Sequence, residues 1–229
     1  MSLRVHVPFH HLSGLSEPRS LAPRMAIVVA ILLFLLSLAR PAHGGVPSPV
    51  NSTLPDCLVF CPLGDMPVTV VVRDIANNPV ASSSVVFDFS ECPAAFVCPT
   101  GPSDPYLYTP ANRTIRAFTN AIGSVVFPAR VGGVGGIVRV YADGVMLHSY
   151  TLASPDQDGN GMVVGVIGLD DPIFIPKLGS ADPTADFDCS GVVNFDDEQI
   201  FYFHHSHACG GYVDPARRSS WGAVKLHYR

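Results

Sequence analysis

Between Ser84 and Phe89 apolar and polar residues alternate, so Val85, Phe87 and Phe89 share one face of an extended chain and Asp88 the other. Neighbouring segments carry the same signature. Pro67–Asp74 is dense in β-branched residues, and Arg113–Thr119, Ser124–Arg130, Ile137–Ala142 and Val145–Tyr150 follow as further short runs. Turn chemistry separates them: Ala76–Pro79, Asn120–Gly123, Gly132–Gly136 and the Asp143-Gly144 pair, the last a hairpin signal. Residues 90–112 read as a long, Pro-rich, irregular insert. Several strands joined by short turns predict a β-sandwich over 45–152, with Val70, Phe87, Val126 and Val140 in its core.

The pattern changes at Ser154-Pro155, where alternation gives way to two acidic loops, each leading into a short helix. The first helix lies near 170–176, with Pro172 tolerated at its start and Pro176 ending it. The second spans Asp196–His207. Ile200, Phe203 and His207 share a face there, and Asp196, Asp197 and Glu198 suit its positive N-terminus.

The loop before the second helix carries the most specific chemistry in the chain. A hard cation such as Ca²⁺ takes six to eight oxygens, so donors must recur at alternate positions of a tight loop. Asp186, Asp188 and Ser190 fill the first, third and fifth places, and Gly191 sits at the sixth, where the backbone turns sharply. Val192 offers its carbonyl at the seventh, Asn194 a water at the ninth, and Asp197 closes the loop at the twelfth. Val193, at the eighth, is the apolar residue that packs such a loop. The earlier loop repeats the start: Asp156, Asp158, Asn160, Gly161 and the Met162 carbonyl. Its twelfth place is Ile167, which cannot ligate. Asp170 or Asp171 replaces it only if the exit bulges by about three residues.

Composition fits this division. The 229-residue chain is 48% hydrophobic and 14% charged, with 20 Gly and 21 Pro, a profile of β-rich, loop-rich structure. Acid is concentrated in 151–210, which holds ten Asp or Glu and one Lys, and no basic patch exists to neutralise phosphates. Nucleic-acid binding is therefore not expected. Ala26–Ala39 is an apolar run of 14 residues after Arg24 and before Ala42-His43-Gly44. It is short for a bilayer span and fits a secretory signal over 1–44, a retained anchor being the competing reading. The mature protein then starts near Gly45, has no membrane span and is secreted or held at the cell surface.

In an exported chain six cysteines read as disulfides, with zinc as the rival for the first four. Parity favours Cys57, Cys61, Cys92 and Cys98 pairing among themselves and Cys189 with Cys209. His204-His205-Ser206-His207-Ala208-Cys209 invites a transition-metal reading, but no partner carboxylate is identifiable nearby, and a helix end is the plainer account. Gly132–Gly136 fits no phosphate loop. No G-x-S-x-G, H-E-x-x-H or carboxylate pair lies outside the acidic loops, so catalysis is not expected. The basic tail 211–229 reads as a docking or sorting element, or as a segment lying on the sandwich.

Residues 67–150 resemble bacterial immunoglobulin-like domains of the invasin and intimin type. The match rests on VTVVVRDIANNPV (68–80), VVFDF (85–89) and TNAIGSVVF (119–127), with VRVYADG (138–144) after the glycine turn. That resemblance implies a spacer or binding module. The paired loops at 153–210 resemble a type I dockerin, on Asp156, Asp158, Asn160, Asp186, Asp188, Ser190, Gly191, Val193, Asn194 and Asp197. It implies two calcium ions around a small core and a cohesin-like or other surface-protein partner. The expectation is a mainly β, secreted, non-catalytic two-module protein for attachment or extracellular complex assembly. The alternative is an accessory component of polysaccharide breakdown, with Tyr106 and Tyr108 contacting carbohydrate.

Overall fold

The computed structural model describes residues 45–164 and 169–212. Its strands in chain order are β1 (Leu58–Val59), β2 (Val68–Val71), β3 (Ser84–Glu91), β4 (Phe96–Val97) and β5 (Leu107–Thr109), then β6 (Thr114–Phe118), β7 (Ser124–Phe127), β8 (Val131–Gly132), β9 (Ile137–Ala142) and β10 (Val145–Ala153). Two short helices follow, α1 (Asp170–Phe174) and α2 (Phe195–Phe203), before β11 (His207–Ala208) and β12 (Gly211–Tyr212). The described chain is mainly β. Among these residues no helix is long and apolar enough to cross a membrane. The expected signal over 1–44, Ile167 and the tail from 213 lie outside the described residues.

Six strands form one sheet in the order β1-β10-β9-β3-β6-β5. β1 joins parallel, while the other pairings are antiparallel. The alternation at 84–89 becomes β3 at the heart of this sheet, where Val85, Phe87 and Phe89 are fully buried. β2 and β7 pair antiparallel as a separate ladder whose inner face covers the sheet, Phe127 meeting Phe87 edge-on at 4.8 Å. Asp143 and Gly144 both have positive φ, 47° and 82°, the geometry a two-residue hairpin between β9 and β10 requires. Val126 is corrected: it is 47% exposed, and its neighbours Val125 and Phe127 supply the core instead. In a strand a one-residue shift in phase exchanges the faces. The insert 90–112 is also more ordered than expected, since β4 pairs with β8 and β5 with β6.

The short edge strand β1 serves two cores. Its partners are Leu58↔Leu152 and Val59↔Ala153. Successive side chains in a strand face opposite ways, so Leu58 and Leu152 enter the sheet core while Val59 and Ala153 enter a second cluster. That second core gathers Val163, Phe174, Ala185, Phe187, Val193 and Phe201 around an aromatic stack. Phe174 lies 4.3 Å from Phe201 and 5.7 Å from Phe187, ring planes nearly parallel. Each fully buried ring contributes roughly 1.5–3 kcal/mol.

The cysteine pairing differs from the parity argument. Cys57 is bridged to Cys189 and Cys98 to Cys209, with Cα separations of 5.7 and 5.6 Å, and Cys61 and Cys92 are buried thiols. Parity treated the acidic segment as self-contained, but α2 intervenes between Cys189 and Cys209 and carries the chain about 14 Å along its axis. Cys61 and Cys92 also sit in different cores. Both bridges therefore cross the boundary expected at 152/153.

The second helix is also shorter than Asp196–His207. It ends at Phe203, and Ser206, at φ 70°, helps reverse the chain into β11. Its buried residues are Asp197 and Phe201, with the C-cap His204 buried beyond them, whereas Phe203 is 75% exposed. Pro176 lies within a 3₁₀ turn (Ile175–Lys177) that continues α1.

Candidate metal centre

The two acidic loops are built by the same hydrogen bonds. In the second, Asp186 Oδ1 accepts from Ser190 N–H at 3.0 Å and Oδ2 from Gly191 N–H at 2.8 Å. Asp197 reaches back from the first turn of α2. Its Oδ1 accepts from the N–H groups of Phe187 and Asp188 at 2.5 and 3.1 Å, and its Oδ2 from Asn194 at 2.8 Å. Asn194 is the N-cap, its side chain accepting from Asp196 N–H, so a capping box and the loop closure share Asp197. Ser190 and Asn194 both donate to the Val192 carbonyl, at 3.0 and 3.2 Å. Gly191 has φ 87°, the left-handed conformation that favours glycine.

The first loop repeats this network. Asp156 Oδ1 accepts from Gly159 and Asn160 at 2.9 and 3.2 Å, and Oδ2 from Gly161 at 2.8 Å. Asp170 does what Asp197 does: Oδ1 accepts from Gln157 and Asp158 at 2.6 and 3.1 Å, and Oδ2 from Val164 at 2.7 Å. Asp170 stands fourteen residues after Asp156, against eleven between Asp186 and Asp197, so the loop exit is three residues longer. Asp171 points elsewhere, its Oδ1 3.3 Å from His205 Nε2. Asn160 turns its amide oxygen to the Met162 N–H at 2.9 Å.

Two three-carboxylate groups result, Asp156/Asp158/Asp170 and Asp186/Asp188/Asp197, with one oxygen of each acid within 4.8 Å of the others. Both could hold a hard cation, because acceptor-only oxygens converge on one point. Asp156, Asp170 and Asp197 are fully buried. Burial and the neighbouring carboxylate push Asp156 well above the usual range, and burial pushes Asp170 up to about 6. Asp188 is exposed and held low by the Ser190 hydroxyl. The eighth-place residues, Val163 and Val193, are fully buried in the shared core, but they do not pair with each other. Val163 bonds to His207 and Ser206, and Val193 to Gly179 and Ser180. Lys177 ties the loops, donating to Gln157 Oε1 at 2.6 Å and to Thr184 Oγ1 at 2.7 Å.

Tyr106 is buried in the sheet core, its hydroxyl accepting from Arg130 N–H at 3.1 Å, so it offers no stacking platform; Tyr108 is partly buried against the same core. His204 and His207 do not share a helix face, since the helix ends at Phe203, before both, and Cys209 is bridged to Cys98. Their partners are Cys61 and Asp65, which no sequence spacing connects to them. No known protein family, curated protein or solved structure matches the chain.

Proposed function

We propose that the chain is an exported, non-catalytic modular protein in which an immunoglobulin-like sandwich carries a dockerin-like pair of calcium loops, and that it attaches to a surface protein or assembles into an extracellular complex. One observation carries the calcium reading: first and last carboxylates receive equivalent backbone N–H groups in both loops, although the second exit is three residues shorter. Such duplication has no use in an ordinary Asp turn. A cation neutralises three acids that otherwise repel one another, and it fixes the loop to the helix that follows. Surface chemistry supports a partner. Phe195 and Tyr202, seven residues apart, share the outer face of α2 at 66% and 41% exposure, with Phe203 beside them at 75%. The disulfides fit an oxidising compartment.

The test is retention of a protein partner on the immobilised chain in calcium and its release by chelator. Asp197→Ala should abolish retention. Calorimetry with no calcium heat for the intact chain would sink the reading.

A further inference from the structure

We propose that Cys61, Asp65, His204 and His207 form a second kind of metal site, a tetrahedral zinc-class centre separate from the acidic loops. One donor atom from each of the four lies within 4.8 Å of the other three. His207 Nδ1 is 3.6 Å from Cys61 Sγ and 3.1 Å from Asp65 Oδ2, and His204 Nε2 is 3.6 Å from the same oxygen. A tetrahedron with metal–ligand bonds of about 2.0–2.3 Å has edges of roughly 3.3–3.8 Å. Three of the six edges, at 3.1–3.6 Å, are already near this length, and the other three lie within 4.8 Å.

The donor set selects the metal. One thiolate and two imidazoles are soft and borderline ligands that suit zinc-class ions and do not suit calcium or magnesium. All four positions come from the protein, which fits a structural centre better than a catalytic one. His204 is already oriented: its Nδ1 lies 2.7 Å from the Ile200 carbonyl. A carbonyl only accepts, so Nδ1 carries the proton and Nε2 presents its lone pair to the site. Cys61 is fully buried, as a thiol, in the second core. On coordination the thiol proton leaves to solvent and the sulfur binds as thiolate. Asp65 is more exposed and lines a cavity of about 730 Å³ with His204, which gives an ion a way in.

The centre would lock the turn after β1 to the end of α2 and to β11, groups 146 residues apart in sequence. It also explains why Cys61 remains a thiol in a chain whose other cysteines near the seam are bridged.

The experiment uses the full chain, stripped of metal and then saturated with calcium so that the acidic loops are filled. Zinc is titrated against a chromogenic chelator, and cobalt serves as the optical probe. One zinc equivalent and a thiolate-to-cobalt charge-transfer band are expected. Cys61→Ser should remove that band, and His207→Gln should weaken zinc at least about tenfold. Cys92→Ser, a buried thiol outside the cluster, should change neither. Should Cys61→Ser fail to fold, zinc protection of Cys61 from alkylation in the unsubstituted chain replaces it, with Asp65→Asn as the weakened variant. No zinc binding above calcium saturation would overturn the proposal and leave a hydrogen-bonded cluster only. An undiminished cobalt band in Cys61→Ser, or alkylation unaffected by zinc, would do the same.

Discussion

Asp170→Asn tests whether the longer first loop closes as the second does. The substitution keeps shape but replaces one acceptor oxygen by an NH₂ group. Facing Val164, that group meets another donor, a loss of about 1–3 kcal/mol. Against this stands the cost of ionising Asp170 where burial has raised its pKa to about 6. Two pKa units are about 3 kcal/mol, and solvent screening near the loop reduces this to about 1–2. In the absence of calcium at pH 8 the two effects nearly cancel, and the melting temperature should move by only a few degrees. With calcium the outcome differs. Saturation of one site at 100 times Kd stabilises the fold by about 2.7 kcal/mol, or roughly 5–10 °C for a domain of this size. Asp170→Asn should lose that increment and retain the one from the Asp186/Asp188/Asp197 loop. Asp171→Asn, which faces His205, should keep both. Thermal unfolding by circular dichroism, with and without calcium, reads all three proteins. An undiminished calcium shift in Asp170→Asn, or its loss in Asp171→Asn, would refute the assignment of Asp170 as the closing ligand.

Three other outcomes are expected. The ion-free chain should become less stable as pH rises through about 6, because the raised Asp170 and Asp156 favour the protonated native state at low pH; the calcium-loaded chain should show the opposite slope, since protons compete with the ion. Chemical denaturation from pH 4.5 to 7.5 checks both signs, and equal slopes would contradict them. Non-reducing peptide mapping should recover Cys57 with Cys189 and Cys98 with Cys209, and Cys57→Ser with Cys189→Ser should cost about 2–5 kcal/mol of stability in urea melts. Phe201→Ala, which removes the middle of the packed helix face, should cost about 3–5 kcal/mol; a loss under 1 kcal/mol would mean that the aromatic stack is not a core.

Local periodicity made much of the sheet readable. Val85, Phe87 and Phe89 alternate with half-exposed residues, and β3 follows that register. Asp143-Gly144 specifies a hairpin because both residues tolerate positive φ. The donors of the acidic loops were legible for the same reason, as fixed spacings within about a dozen residues. Val126 shows the limit of this reasoning. In a run of Val125-Val126-Phe127 every residue is apolar, and only the opposite ladder decides which two point inward. Phe203 shows the same limit: Phe195, Ile200, Phe201, Tyr202 and Phe203 offer more than one apolar face at helical spacing, and of the expected pair Ile200 packs against the second core while Phe203 faces outward.

What the sequence concealed is how the two halves join, and the reason lies in β1. A two-residue strand has no periodicity to detect, yet its alternation directs Leu58 to one core and Val59 to the other. Once β1 is set beside β10, the residues flanking it are carried under the acidic segment. Cys57 then meets Cys189, and Cys61 and Asp65 meet His204 and His207. Each of these contacts spans more than a hundred residues, so counting cysteines within apparent modules was bound to pair them wrongly. A long-range contact of this kind also changes what calcium can do. Because both disulfides and the Val59/Ala153 seam tether the loops to the sheet, the ion-free loops cannot drift far from it. Calcium should therefore tighten an already assembled second core rather than fold a detached domain. Removing it should loosen Asp188 and Ser190 at the exposed loop mouth before it disturbs Phe174 and Phe201, and amide exchange measured with chelator should show that order.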